Sequence, residues 1–123
     1  MDADLENETW VVERGGSVAE RLSDATDKSV NALDRVIYCL WVTDYGMRNA
    51  GDLESATDLY PAFQTEGVAL ARALGLANTQ RLFSLPTIEL EQKYFELLGD
   101  VCRELQAADA LSPNTSLERM RDR

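Results

Sequence analysis

Apolar residues recur at the spacing of an α-helix along two long stretches of this chain, and this pattern restricts its fold more than any other feature. Over residues 88–109 the apolar face comprises Leu90, Tyr94, Leu97, Leu98, Val101, Cys102, Leu105 and Ala108. Over residues 28–48 a similar face comprises Val30, Leu33, Val36, Ile37, Leu40 and Trp41. Such faces are typical of helices that bury one side. Because no segment alternates polar and apolar residues as a strand would, we predict an all-α fold.

The predicted architecture is a compact single-domain bundle of about five to six helices, with 28–48 and 88–109 as its two long core helices. Residues 1–16 are expected to form a flexible acidic lead that ends at Gly15-Gly16, followed by a helical domain over 17–112 and a short tail over 113–123. Ser17 and Glu20 have the capping-box spacing of a helix start. The shorter helices are therefore placed at about 17–25, 52–60, 61–75 and 79–85.

The length and the apolar content predict the environment of the protein. A chain of 123 residues is long enough to bury the core of one domain without disulfides or metals. No apolar run approaches the ~20 residues that span a bilayer, and the acidic N-terminus has no signal-peptide core. We therefore expect a cytoplasmic protein that does not enter a membrane. Cys39 and Cys102 are expected to be reduced, buried thiols.

The chain has no histidine, the residue most often used for proton transfer near neutral pH and for binding metals. Its absence argues against most familiar hydrolase and metalloenzyme sites. The sequence also has no glycine-rich phosphate loop and no cluster of ligands at metal spacing. We therefore predict a protein that is not an enzyme, with no catalytic residues, no metal and no cofactor.

The net charge of −10 is concentrated at the two ends of the chain. Residues 1–27 carry eight acids and two bases, residues 28–86 six and five, and residues 87–123 eight and five. Direct nucleic-acid binding is disfavoured, because phosphate contact needs clustered Lys and Arg. A basic protein is the predicted partner, since opposite charge steers association. If the acidity served only solubility or adaptation to salt, the carboxylates should be scattered over all faces.

The end of the predicted helix 28–48 carries a distinctive turn. Asn49 and Gly51 are the residue types that most easily adopt left-handed backbone angles, which indicates a helix C-terminus. The run from Arg35 to Tyr38, then Trp41 and this turn, resembles a family of bacterial helical domains. Members of that family, mostly of unknown function, have a helix that ends in Trp before a turn rich in Asn and Gly.

The resemblance extends over about residues 30–105. Gly67 to Leu76 is similar to the family's helix that ends in a Leu-Gly turn, and Leu90 to Leu98 is similar to its last, Tyr-bearing helix. The turn departs from the family pattern at Arg48, Ala50 and Asp52. One member of the family is a DNA mimic that binds a DNA-binding regulator in place of its operator. The resemblance thus implies an all-helical fold and suggests DNA mimicry as an activity.

Three functional hypotheses follow. The first is an acidic protein-binding module, in one form a DNA mimic that occupies the basic nucleic-acid-binding surface of a regulator or nuclease. The alternative is an immunity or antitoxin protein that neutralises a toxin enzyme. A second alternative is a small-molecule binder or an enzyme of unknown type, which would use the two thiols or the region of Trp41 and Tyr45.

Carboxylates on the outer face of helix 88–109, with two from the first acidic segment, are the predicted partner contacts. They are Glu89, Glu96, Asp100, Glu104, Asp24 and Asp27. The four on the last helix spread over about 22 Å at ~1.5 Å per residue, whereas duplex DNA of that length carries about thirteen charges. Mimicry of DNA therefore requires the acids of residues 1–27 to fold near this helix. Asp100 and Arg103 are expected to pair locally.

Overall fold

The computed structural model describes residues 2–24 and 29–111, with side chains from residue 5 onwards. Within these residues there are six helices and no strand, so the predicted all-α bundle is confirmed. The predicted long helices 28–48 and 88–109 correspond to the second helix, α2 (Ala32–Ala50), and the last, α6 (Thr87–Ala110). The helices are α1 (Asp2–Ser23), α2 (Ala32–Ala50), α3 (Glu54–Leu59), α4 (Phe63–Leu74), α5 (Ala77–Ser84) and α6 (Thr87–Ala110). The predicted tail over 113–123 lies outside the described residues.

α2 is the central helix, and it packs against α1, α3, α4 and α6. It begins with a capping box, in which the Asn31 side chain accepts from the Asp34 amide and the Asp34 carboxylate accepts from the Asn31 amide. The box satisfies two amides that a helix start leaves unpaired. α2 ends at Gly51, whose φ of 73° lies in the left-handed region, so the turn predicted there is confirmed.

α1 differs from the prediction for the N-terminal residues. One helix runs continuously from Asp2 to Ser23, so the prediction of a flexible lead with a helix start at Ser17 is wrong. Two glycines inside a helix cost roughly 2 kcal/mol relative to alanine. Packing outweighs this cost, because Val11 and Val18 are fully buried. Gly15 itself lies directly against Trp41, where any Cβ would overlap the tryptophan, so the missing side chain permits the close approach of α1 to α2.

α1 runs antiparallel to α2. Near the middle of the pair Gly15 lies beside Trp41, and nearer the N-terminus of α1 Glu8 pairs with Arg48 at 3.4 Å. As residue numbers rise on α1 they therefore fall on α2. This register places Val12 at the level of residues 44–45.

α6 also runs antiparallel to α2, so it is roughly parallel to α1. The Tyr94 hydroxyl donates to Asp44, and the Glu91 carboxylate accepts from the Leu53 amide just beyond α2. α1 and α6 lie side by side, since Gln106 of α6 donates to Asn7 of α1 at 3.3 Å. Together these contacts place the acidic N-terminal segment next to the last helix.

The remaining helices, α3, α4 and α5, complete the bundle. α4 packs on α2, while α5 packs on both α4 and α6. The core itself comes mainly from the predicted apolar faces: the fully buried side chains include Val36, Ile37, Leu40, Leu90, Val101 and Leu105. Trp41 and Leu97 pack against this core but are only partly buried.

Two predictions about the environment of the chain bear on this fold. Cys39 and Cys102 are free and buried as predicted, and burial is the main cause that raises the pKa of both thiols, to about 12 for Cys102. No helix among the described residues combines the length and the apolar character needed to cross a bilayer.

Candidate partner-binding surface

The outer face of α6 carries three of the predicted contact residues, but its charge is mixed. Glu89, Glu96 and Asp100 are exposed there, together with Lys93 and Arg103. Asp100 and Arg103 form the expected ion pair. Because two cations accompany three carboxylates, this face has only a small net negative charge.

Glu104 has a structural role that the sequence prediction did not include. Its carboxylate accepts from the amides of Asn78 (3.0 Å) and Thr79 (2.8 Å) and from the Thr79 hydroxyl (2.8 Å). These amides lie in the first turn of α5, whose own N-cap residue provides no side-chain hydrogen bond. Glu104 therefore caps α5 from the neighbouring helix, and its carboxylate is already engaged within the protein.

The two predicted residues of the first acidic segment lie at and beyond the end of α1. Asp24 is exposed just after the helix, and its amide donates to the carbonyl of Arg21 at 3.2 Å. Asp27 lies outside the described residues. The structure thus brings Glu89, Glu96 and Asp100 onto one helix face, whereas Glu104 serves the α5 cap.

The outer face of α1 carries a line of acids that we call the acidic stripe: Glu6, Glu13 and Glu20. All three are exposed. They are seven residues apart, so successive carboxylates lie within about 20° of one line and roughly 10.5 Å apart along the helix. The two basic residues of α1, Arg14 and Arg21, both point inward instead. The stripe is therefore uniformly negative.

The inward-pointing arginines form a cluster with acids of α2 and α6. Arg14 donates from Nη2 to Asp34 at 2.6 Å and, through Nε and Nη2, to both carboxylate oxygens of Asp109 at 3.0 Å. Arg21 donates from Nη1 to the second oxygen of Asp34 at 3.2 Å. We call these four residues the arginine cluster. It joins α1, α2 and α6 at one end of the bundle.

The charges in the arginine cluster stabilise one another. Burial opposes ionisation of Asp34, but hydrogen bonds from Arg14, the Asn31 amide and Arg21 hold the pKa of its carboxyl below the ordinary value of 3.8. Burial also opposes the charge of Arg14, and the hydrogen bonds to Asp109 and Asp34 more than offset it, so the pKa of Arg14 is raised. Both groups are therefore ionised at neutral pH.

A pocket of about 330 Å³ opens where the N-terminus of α1 meets α2 and α6. Arg48 lines this pocket, and its guanidinium lies 5.1 Å from the ring centre of Phe95 and pairs with both Asp44 (3.0 Å) and Glu8. The lining residues are Leu5, Asn7, Glu8, Arg48, Phe95, Leu98 and Gly99. The exposed apolar surface at this end is thus covered in part by a cation of the chain itself.

Four aromatic side chains form a continuous row along the outer side of α2, which we call the aromatic row. Trp41 stacks on Tyr45 with 6.2 Å between ring centres and on Tyr38 with 5.7 Å, and Tyr60, just after α3, meets Tyr38 edge-on at 5.3 Å. Tyr45 is 47% exposed, and the other three are partly buried. The row includes the region of Trp41 and Tyr45 that the sequence suggested for a small-molecule site.

One end of the row adjoins a polar group built on Glu66. The Tyr60 hydroxyl donates to Glu66 at 2.7 Å, and Arg35 pairs with the same carboxylate at 3.3 Å. Burial, and then the hydrogen bond to Glu66, raises the pKa of Tyr60, so its hydroxyl remains protonated and able to donate. This group fixes Tyr60 against α4. Among the described residues no set of three or more Cys, Asp or Glu side chains is placed to hold a metal ion.

Comparison with protein-family models, curated proteins and solved structures gives no match for this chain. We therefore infer the role of these surfaces from their geometry and charge.

Sequence reasoning did not identify the acidic stripe as a site. The signal was present, because Glu6, Glu13 and Glu20 recur every seven residues. The prediction of a flexible lead over residues 1–16 excluded a helix there, and residues seven apart share a face only if they lie on one helix. The aromatic row had a similar signal in the spacing of Tyr38, Trp41 and Tyr45, which are three and four residues apart on α2.

Proposed function

We propose that this protein is an acidic binding module that recognises a basic surface of another protein through the acidic stripe of α1. The distribution of charge on α1 supports this proposal. Its exposed glutamates form one line, whereas Arg14 and Arg21 form ion pairs with Asp34 and Asp109 on the inner side of the helix. A face from which all cations are removed attracts cationic surfaces and speeds their association. Exposed carboxylates also lie on α3 and α6, but those of α6 stand beside Lys93 and Arg103, whereas both cations of α1 are turned away from its outer face.

The spacing of the carboxylates favours a few lysine or arginine side chains as the ligand. Neighbouring glutamates of the stripe lie roughly 10.5 Å apart, whereas duplex DNA carries one charge per ~1.7 Å of its axis. The protein is therefore proposed to bind selected cations of a partner and not to reproduce a whole phosphate backbone. This proposal has two forms. One is a DNA mimic in the limited sense of a protein that occupies the basic nucleic-acid-binding surface of a regulator or nuclease, which the family resemblance suggests; the other is an immunity or antitoxin protein.

The proposal is tested by capturing partners from the native lysate with tagged protein at low and high salt, followed by mass spectrometry. We expect one basic protein that is retained at low salt and released at high salt. The variant Glu6→Gln/Glu13→Gln/Glu20→Gln should lose it. A matched control, Glu89→Gln/Glu96→Gln/Asp100→Asn, also removes three charges and should retain it. Equal capture by wild type and both variants would overturn the assignment to α1.

The captured partner also separates the two forms of the proposal. For a DNA mimic, the partner is a DNA-binding protein that duplex DNA displaces in competition. For an immunity or antitoxin protein, the partner is an enzyme whose activity is inhibited in the complex. A partner without excess positive charge would contradict both forms.

A further inference from the structure

Three rings of the aromatic row pack against the core, but the row also leaves ring surface exposed beside α1, most of all at Tyr45. Four of the nine aromatic residues of the chain lie in this row on one side of α2. Tyrosine and tryptophan at partly exposed positions supply large contact areas at small entropic cost, and they are the residues that most often dominate protein interfaces. The row therefore has the composition of an interface core.

Level with the row, the flank of α1 carries Val12 and Gly16 and no charged side chain; the charged residue nearest to them on that flank is Glu8, one turn before Val12, which pairs with Arg48. The antiparallel register places Val12, which is 51% exposed, at the level of Tyr45. One turn further along α1, a Cβ at Gly16 would meet nothing within 4 Å, so the surface there is open. Beyond this flank lies the acidic stripe. A partner that covers the row thus reaches Glu13 and Glu20 without crossing another charged residue of α1.

The charges around the row indicate the chemistry of the partner. At one end of the row Arg35 donates to the Tyr60 hydroxyl at 3.3 Å, and its charge is paired with Glu66. Along its flank on α1, the row lies beside the acidic stripe. A second copy of this chain would bring another net charge of −10, which opposes self-association through a face beside the stripe. Charge complementarity therefore favours a basic partner.

The shape of the row fits a helix as the partner. Tyr38, Trp41 and Tyr45 stack in sequence on α2, with centre-to-centre distances of 5.7 and 6.2 Å that are typical of rings in contact. The three residues extend over roughly 10.5 Å of the helix axis, a length that two turns of a partner helix would cover. Amphipathic helices commonly bind such surfaces, with one apolar face on the receptor.

We propose that the aromatic row anchors a basic amphipathic helix of the partner. Its apolar side chains pack on Tyr38, Trp41 and Tyr45, and its lysines or arginines extend over Val12 towards the acidic stripe. This inference rests on the proposed function, because it assumes that the partner is the basic protein that the stripe attracts. It adds an apolar contribution to affinity that salt does not screen.

The test uses two synthetic helical peptides with the same number and placement of lysines, one with leucine and one with serine on the opposite face. Binding to the full-length protein is measured by titration calorimetry. The leucine peptide should bind at least about tenfold more tightly than the serine peptide, and Tyr45→Ala should remove most of that difference. Phe95→Ala, an exposed ring outside the row, is the matched control and should change the affinity less than about twofold. Thermal unfolding of each variant confirms that it is folded.

The outcomes separate this inference from the proposed function. Equal binding of both peptides, lost in Glu13→Gln/Glu20→Gln but unchanged in Tyr45→Ala, would overturn the aromatic anchor and leave the acidic stripe supported. Failure of both peptides to bind wild-type protein would overturn both. Self-association of the protein without peptide, abolished by Tyr45→Ala, would identify a second copy as the occupant and would also overturn the anchor.

Discussion

α1 and α6 both lie antiparallel to α2, yet they distribute charge between core and surface in opposite ways. α6 buries an apolar face and leaves acids and bases together outside, so that Asp100 pairs with Arg103. α1 turns Arg14 and Arg21 inward to buried or partly buried acids, so the charged side chains on the described part of its outer face are glutamates. Two acidic helices therefore present different surfaces. The charge of a surface depends on which ions are buried, and the net charge of the segment does not reveal it.

The largest expected effect compares the apolar packing of α6 with the arginine cluster, which joins α1 to α2 and α6 in addition to the buried Val11 and Val18. Leu105→Ala in the fully buried face of α6 should cost about 2–5 kcal/mol. Asp34→Asn removes the carboxylate shared by Arg14 and Arg21. Because both arginines are partly exposed and Arg14 keeps Asp109, we expect a cost of about 1–3 kcal/mol, between the values for exposed and for buried ion pairs. Chemical denaturation at neutral pH measures both changes in the free energy of unfolding.

The two losses should differ in their dependence on pH. The pKa of Asp34 is lower in the folded protein than its ordinary value of 3.8, so the unfolded chain binds that proton more tightly. The contribution of Asp34 is therefore fully present above pH 3.8 and is lost as pH falls from there through the folded pKa. The cost of Asp34→Asn should shrink on acidification, whereas the cost of Leu105→Ala should not. If the two variants lost the same stability at every pH, the arginine cluster would make no electrostatic contribution to the free energy of unfolding.

A smaller effect tests the close contact between α1 and α2 at Gly15. Gly15→Ala should destabilise the protein by about 1–3 kcal/mol, because the new Cβ overlaps Trp41. Gly16→Ala, at the adjacent residue, meets open space and should stabilise the helix by up to about 1 kcal/mol. Thermal or denaturant unfolding measures the two shifts. Shifts of the same sign would mean that α1 does not approach α2 as described.

The smallest effect compares two glutamates of α6 that the sequence did not distinguish. Glu104→Gln weakens the cap on the first turn of α5, and loss of a helix cap typically costs about 1 kcal/mol. Glu96→Gln changes an exposed side chain and should stay within about 0.5 kcal/mol. Hydrogen exchange of the amides of Asn78 and Thr79 should quicken in the first variant only. Unchanged exchange in Glu104→Gln would exclude the capping role.

α6 could be predicted from the sequence because its inward side chains are nearly all apolar and follow one period. The helix, the buried face and the pair of Asp100 with Arg103 all follow from local rules. The cap from Glu104 to α5 could not be predicted in this way, since it depends on how two helices pack. Position on an exposed helical face does not distinguish a free carboxylate from one used by a neighbouring element.

α1 could not be predicted because tertiary contacts override its local signals. Gly15-Gly16 and the Ser17 to Glu20 spacing both indicate a helix boundary by local rules. The overriding contacts are the approach to Trp41 and the arginine cluster, which join residues distant in sequence. The acidic stripe was hidden for the same reason, since its three glutamates share a face only if residues 6–20 form one helix.

The dependence of partner affinity on salt tests the central claim most directly. The slope of log Kd against log salt concentration would be measured for wild type, for the α1 variant Glu6→Gln/Glu13→Gln/Glu20→Gln and for the α6 variant Glu89→Gln/Glu96→Gln/Asp100→Asn. Both variants lose three carboxylates, so their net charges are equal. We expect weaker binding and a flatter slope for the α1 variant, with the α6 variant close to wild type. Equal slopes for the two variants, or a flatter slope for the α6 variant alone, would contradict the assignment of the binding surface to α1.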